Sequence, residues 1–185
     1  MTAEDATAQR FDWSHWIEEY ASDPPSVLAA AEAARRRGAI TKEELLRIAY
    51  WKSPRAVRKM ADALGAERSP DEKVCELAAP DSEGEDEALL NNLMQVRGVA
   101  TSVASAVLAL VYPERFAVTD WRARDELNRL YPEQYKADDT TENYLEQYLP
   151  RIRAIAASHG ITPREADKAL WARSRARYVE ELVRS

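Results

Sequence analysis

The sequence has few of the residues that build metal and redox centres. It contains one cysteine, Cys75, and two histidines, His15 and His159. These counts exclude a disulfide framework, a four-cysteine zinc or iron–sulfur site and a multi-histidine metal centre. Any catalytic chemistry must therefore come from carboxylates, hydroxyls, lysine, arginine or aromatic groups.

Long hydrophobic segments are also missing. The longest apolar run, residues 103–112, falls well short of the ~20 residues that a transmembrane helix needs. The first ten residues are polar and acidic, which predicts that there is no signal peptide. From these features we expect a cytoplasmic protein with no membrane partner.

Glycine is scarce, and this favours helices. Only five of the 185 residues are glycine, and apolar residues recur at helical spacing along nearly the whole chain. A chain of this size buries roughly 70% of its unfolded surface, enough for one domain or for two small lobes that share a core. We predict an all-α domain over residues 1–185, with about ten helices and with its N- and C-terminal helices packed together as a second lobe.

Capping residues set the predicted helix boundaries. Asp12 or Ser14 begins the first helix, Thr41 and Glu44 form a capping box, and Ser53 and Ser69, each followed by proline, open two more. We expect residues 80–86 to form an acidic turn and residues 112–119 an extended loop. The predicted helices cover residues 13–20, 27–37, 41–51, 54–64, 70–79, 87–96, 101–111, 121–130, 141–158 and 163–183.

Charge is distributed unevenly around a net value of −6. Residues 35–59 carry nine basic and two acidic side chains, whereas residues 66–90 carry nine acidic and two basic ones. The basic segment could face a phosphate backbone, or its charges could lie in pairs on solvated helix faces. Both interpretations remain open at this point.

Residues 93–105 predict a helical hairpin with a tight turn. Gly98 can adopt a positive φ at the end of one helix, and Thr101 and Ser102 begin the next. The N-terminus of that second helix presents backbone amides that suit a phosphate oxygen. Helix 101–111 is about 16 Å long and the loop after it can span up to about 27 Å. Asp120 can therefore return to the side of the hairpin.

This stretch resembles the helix-hairpin-helix DNA glycosylases of the endonuclease III type, the HhH-GPD superfamily. Gly98, Val99 and Ala104 match the hairpin pattern of that family, and Asp120 follows Gly98 by 22 positions, as its catalytic aspartate does. The likeness is sharp over residues 87–130, with the hairpin at 87–111 and the aspartate-bearing loop and helix at 112–130. It is looser for the preceding helices, including the segment Trp51-Lys-Ser-Pro-Arg55.

The sequence departs from the family pattern at several hairpin positions. Ala100 replaces the second glycine, and Arg97 replaces the proline before Gly98. Ser102 stands where bifunctional members carry a Schiff-base lysine, so the resemblance implies no lyase activity. The cysteines of the iron–sulfur cluster are absent. The resemblance allows a monovalent cation at the hairpin and implies no other cofactor.

The resemblance implies a function and a set of site residues. It implies a monomeric, monofunctional glycosylase that binds double-stranded DNA and removes a damaged or modified base, as in base-excision repair. Asp120 would be the catalytic carboxylate. The alternative is a cap of the helix that starts at Trp121, but a capping carboxylate can also be catalytic. Tyr50, Trp51 and Trp121 would form a base pocket or wedge, although aromatic side chains usually serve packing. The nucleic-acid-binding residues would be Lys52, Arg55, Arg97, Gly98, Val99, Ala100, Thr101, Ser102 and Arg122.

Two other functions fit the same sequence. One is a non-catalytic helix-hairpin-helix module that binds DNA without a base pocket. The other is a helical interaction protein in which the hairpin is only a packing device. The spacing between Gly98 and Asp120 favours the enzyme, because a binding module needs no carboxylate near a phosphate backbone.

Overall fold

A computed structural model describes residues 11–77, 85–132 and 140–184 of the chain. Most of these residues are helical, which confirms the predicted all-α character. The chain forms two compact units, one made of Met1–Ser22 and Thr119–Ser185 and the other of Asp23–Val118. Within the described ranges, no helix is both long and apolar enough to cross a membrane.

The unit Asp23–Val118 contains five helices and two short strands among its described residues. Its central helix is the most apolar one, and nine of its eleven residues are buried. This helix contacts three of the other helices, as expected of a helix that is hydrophobic on nearly all sides. The elements are α2 (Pro25–Arg37), β1 (Ala39–Thr41), α3 (Lys42–Lys52), α4 (Pro54–Leu64), β2 (Lys73–Glu76), α5 (Glu85–Met94) and the central helix α6 (Thr101–Val111).

The other unit is built on one long helix. Its elements are α1 (Trp13–Glu19), α7 (Trp121–Leu130), α8 (Thr141–Asn143), a π-helical turn (Tyr144–Tyr148), α9 (Leu149–His159) and α10 (Pro163–Arg184). Helix α10 packs against α1, α7 and α9. Its buried Arg164 pairs with Asp167, and Arg177 bonds to Asp125 and Glu126 of α7. The Arg177 bonds hold α7 and α10 against each other, whereas the Arg164 pair lies within α10.

The predicted helix over residues 70–79 is wrong where the structure describes it. Residues 73–76 instead form β2, which pairs antiparallel with β1. The carbonyl groups of Pro70 and Glu72 accept hydrogen bonds from the amides of Glu43 and Lys42, each at 3.0 Å. The segment is extended because it satisfies the first amides of α3 and the edge of β1, and these tertiary bonds override the local start signal. The predicted end near residue 79 and most of the turn at 80–86 lie outside the described residues.

Most predicted helix ends agree with the structure because local capping groups determine them. Thr41 and Glu44 form the expected capping box: the Thr41 hydroxyl accepts from the Glu44 amide, and the Glu44 carboxylate accepts from the Thr41 amide at 3.0 Å. Asp12 caps α1 by accepting a bond from the His15 amide at 3.0 Å. Helix α5 covers Glu85–Met94 rather than 87–96.

The π-helical turn interrupts the predicted helix 141–158 just before Pro150. Within this turn the Leu149 amide bonds to the carbonyl of Tyr144, five residues back. Proline has no amide hydrogen, and its ring clashes with the carbonyl four residues earlier. The helix therefore takes up one extra residue in the turn before Pro150 and continues as an α-helix after it.

Candidate nucleic-acid interface

Six residues, 95–100, connect α5 to α6 in a tight turn. Gly98 adopts φ +93°, in the region that favours glycine. Ala100 is the N-cap of α6, and its carbonyl accepts bonds from the amides of Val103 and Ala104 at 2.9 Å each. The turn thus delivers the positive end of a three-turn helix to the surface of this unit.

The turn lies directly against α4. An ideal Cβ atom placed on Gly98 would be 2.9 Å from Met60 Cγ and 3.4 Å from Met60 Cα. Met60 itself is completely buried. Gly98 is therefore required twice, once for its positive φ and once because α4 leaves no room for a side chain. The sequence pattern gave no indication of this second requirement.

The predicted hairpin residues divide into surface and buried groups. Arg97, Gly98 and Ala100 are exposed, and Ser102 is half-buried. Val99 and Thr101 are buried, and the Thr101 hydroxyl points toward Met94 Sδ at 3.9 Å. Val99 and Thr101 therefore anchor the turn, whereas the side chain of Arg97 and the backbone at Gly98 and Ala100 are accessible to a ligand.

The basic segment 35–59 contains two kinds of cation. Four of its arginines form ion pairs with carboxylates, and Lys42 donates to the carbonyl groups of Gly65 at 2.6 Å and Arg68 at 3.0 Å. These groups therefore serve the fold. The paired arginines are Arg35 with Glu114, Arg36 with Glu32, Arg37 with Glu44 and Arg47 with Glu43.

A second group of cations lies on one exposed face of α4. Arg55, Arg58 and Lys59 are exposed, and the structure gives none of them an ion pair with a described residue. Their spacing places them side by side on the helix surface. Asp62, one turn further on, is the acidic residue on this face. We refer to Arg55, Arg58 and Lys59 as the α4 basic face. The predicted Lys52 is half-buried at the end of α3.

Tyr50 and Trp51 line a groove of about 880 Å³ in the same unit. Apolar side chains from α2, α3, α4 and the segment before β2 form most of its wall, and Tyr50 is 65% exposed at its edge. Its volume falls in the range typical of small-ligand sites. The lining residues are Pro24, Ser26, Val27, Lys42, Glu43, Leu46, Arg47, Tyr50, Trp51, Pro54, Val57 and Pro70.

Asp120, Trp121 and Arg122 belong to the other unit. Asp120 is half-buried and is the N-cap of α7, where its Oδ1 accepts a bond from the Arg122 amide at 3.0 Å. The Arg122 guanidinium lies 4.3 Å from the ring centre of Trp121 and 5.3 Å from that of Tyr178. Arg122 is thus held by cation–π contacts, and Trp121 is 55% exposed.

Seven of the predicted site residues lie in one unit, on two segments of the chain that contact each other. Arg97 to Ser102 occupy the α5–α6 turn and the start of α6, and Arg55 lies on α4, which contacts the turn through Met60. Arg58 and Lys59 were not predicted as site residues, although their spacing of three and four residues from Arg55 could have indicated them. In the described part of the chain, no three histidine, cysteine, aspartate or glutamate side chains lie close enough together to hold a metal ion.

Comparison with known proteins gives no further guide. Neither family models, nor curated protein sequences, nor solved structures yield a match to this chain.

Proposed function

We propose that this protein is a DNA-binding, monofunctional N-glycosylase that acts as a cytoplasmic monomer on double-stranded DNA. One observation supports the binding part above all others. The helix-hairpin-like turn at Gly98 lies against a helix that exposes Arg55, Arg58 and Lys59 without ion pairs among the described residues. Side chains that are not neutralised by the fold are available to neutralise phosphates.

The α5–α6 turn and the α4 basic face suit a phosphate backbone in complementary ways. The N-terminus of α6 offers backbone amides and the positive end of a helix dipole. Arg97 and the α4 basic face add exposed cations, which release counterions from DNA when they bind it. The net charge of −6 does not oppose this, because the acidic residues are concentrated in other segments.

The proposed chemistry assigns the catalytic role to Asp120. In a hydrolytic reaction the bond between the base nitrogen and C1′ of the sugar breaks, and its electron pair leaves with the base. Positive charge develops on the sugar, which a carboxylate stabilises, and the same carboxylate can take a proton from the attacking water. Oδ1 of Asp120 caps α7, and this cap fixes the orientation of the carboxylate.

The residue at the lysine position of bifunctional family members determines which products are expected. Ser102 offers a hydroxyl in place of an amine, and a hydroxyl forms no Schiff base with the sugar. We therefore expect a free base and an intact abasic strand as the products.

The experiment that tests this proposal compares the variants Asp120→Asn and Asp12→Asn with the wild type. Both aspartates are N-caps that accept an amide hydrogen at 3.0 Å, and asparagine preserves that role. Free bases released from alkylated, deaminated and oxidised DNA are measured by mass spectrometry. We expect Asp120→Asn to lower the release of one base class at least about 100-fold and Asp12→Asn to leave it unchanged. Equal release by Asp120→Asn and the wild type would refute the role of Asp120.

A non-catalytic DNA-binding module is the second candidate, and specific observations favour it. Ala100 stands where the family has a glycine, Gly98 is already required by its contact with Met60, and Arg122 stacks on Trp121. Gly98 and Arg122 therefore have structural roles independent of catalysis, and Ala100 departs from the pattern of the enzymes. Binding to duplex DNA without base release from any substrate pool would support this candidate.

A further inference from the structure

The groove described above combines mostly apolar walls with an exposed aromatic edge, and its charged lining residues are Lys42 and the ion pair of Glu43 with Arg47. Trp51 is half-buried in its wall, whereas the ring of Tyr50 is largely accessible to solvent. An exposed tyrosine ring offers a flat face on which another ring can stack, and every nucleobase has a flat face of this kind.

The basic residues of α4 adjoin this groove. Pro54 and Val57 form part of the groove wall, and Arg58 lies one helical turn from Pro54. Residues four apart on a helix are neighbours on its surface. The α4 basic face therefore begins at the edge of the groove, with Asp62 as the acidic residue beyond it. Aromatic rings beside a row of cations form the usual surface for an unpaired strand.

We propose that the groove between α2, α3 and α4 binds unpaired nucleotides of a single-stranded nucleic acid. The bases stack on Tyr50 and enter the apolar groove, while Arg55, Arg58 and Lys59 contact the phosphates. This inference rests on the proposed function in so far as it assumes a nucleic-acid partner. It does not involve Asp120, and it adds single-stranded segments to the double-stranded DNA proposed above.

The cations of the α4 basic face favour a nucleic acid over an apolar peptide as the occupant. An apolar peptide would cover Tyr50 but would leave three cations without counter-charges. Each base that stacks on an aromatic ring contributes about 1–3 kcal/mol, which corresponds to about a 5- to 150-fold change in affinity. This effect depends on the flat ring and not on the hydroxyl of Tyr50, and the test uses that difference.

The test measures the binding of a fluorescein-labelled oligothymidylate of about twelve nucleotides by fluorescence anisotropy, next to a blunt duplex of equal length. The variants are Tyr50→Phe, Tyr50→Leu and Leu28→Ala, the last of which removes another exposed apolar side chain of this unit from outside the groove. We expect Tyr50→Phe and Leu28→Ala to bind the single strand like the wild type, and Tyr50→Leu to bind it about 5- to 150-fold more weakly.

The outcomes separate this inference from the proposed function. Binding of the duplex without binding of the single strand would overturn the inference and leave the proposed function standing. Failure of the wild type to bind either the duplex or the single strand would overturn both this inference and the proposed function. Equal binding of the single strand by Tyr50→Leu and the wild type would show that the strand lies elsewhere. A dimer that Tyr50→Leu dissociates in sedimentation, without nucleic acid present, would show that a second copy occupies the groove.

Discussion

Replacing Gly98 with alanine should destabilise the protein for two separable reasons. A positive φ costs a residue with a Cβ atom about 1–2 kcal/mol, partly offset by about 0.4–1 kcal/mol from the less flexible unfolded chain. The net cost of backbone conformation is therefore about 1 kcal/mol. The new Cβ would also lie 2.9 Å from Cγ of Met60, a residue that is itself fully buried and has little room to move. Such overpacking adds about 1–3 kcal/mol.

Gly38 provides the matched control in the same unit. It has φ +68°, and the nearest heavy atom to an ideal Cβ there is the Leu77 carbonyl oxygen at 4.0 Å. Gly38→Ala should therefore lower the free energy of unfolding by only about 1 kcal/mol, and Gly98→Ala by about 2–4 kcal/mol. Urea unfolding followed by far-UV circular dichroism measures both. Equal losses for the two variants would show that the turn does not press against α4.

Two further predictions concern local features of the same unit. Thr41→Ala removes the capping box of α3 and should lower the free energy of unfolding by about 1 kcal/mol. Ser53→Ala, at an N-cap without a side-chain hydrogen bond, should leave the free energy of unfolding almost unchanged. Equal losses for the two variants in urea unfolding would show that the capping box does not stabilise α3. Burial, together with the negative charge of Glu76, raises the pKa of the Cys75 thiol to about 11. The thiolate at pH 8 is then about one part in a thousand, so alkylation by iodoacetamide should still be accelerating at pH 10. A rate that levels off near pH 9 would refute this.

The sequence predicted those parts of the fold that local groups determine. Thr41 with Glu44 and Asp12 each satisfy amides within four residues, so their signals survive folding unchanged. Helix α6 could also be predicted, because a helix that is apolar on nearly all sides must be buried in the core whatever the rest of the fold.

Features that depend on distant segments could not be predicted in this way. Strand β2 is extended because its neighbours bond to the first amides of α3, and nothing within residues 70–76 indicates those partners. The contact between Gly98 and Met60 joins residues 38 positions apart. The basic segment looked uniform in sequence, yet folding pairs Arg37 with Glu44 and leaves Arg58 exposed.

The candidate site shows the same division between local and distant determinants. The tight turn at Gly98 between α5 and α6 and the cap at Asp120 follow from short-range patterns, and both are present in the structure. The groove at Tyr50 also needs Pro24 and Val27 from the start of α2, and Pro70 from the segment before β2. No spacing rule connects these segments, so only the fold reveals the groove.

The salt dependence of duplex DNA binding tests the central claim most directly. The logarithm of the binding constant should fall linearly with the logarithm of the salt concentration, by about 0.9 per phosphate contact. Arg97→Ala and Arg58→Ala should each reduce that slope by about 1, whereas Arg36→Ala, which removes a cation already paired with Glu32, should leave it unchanged. Binding that does not respond to salt, or equal slopes for all three variants and the wild type, would contradict the assignment of this surface to DNA.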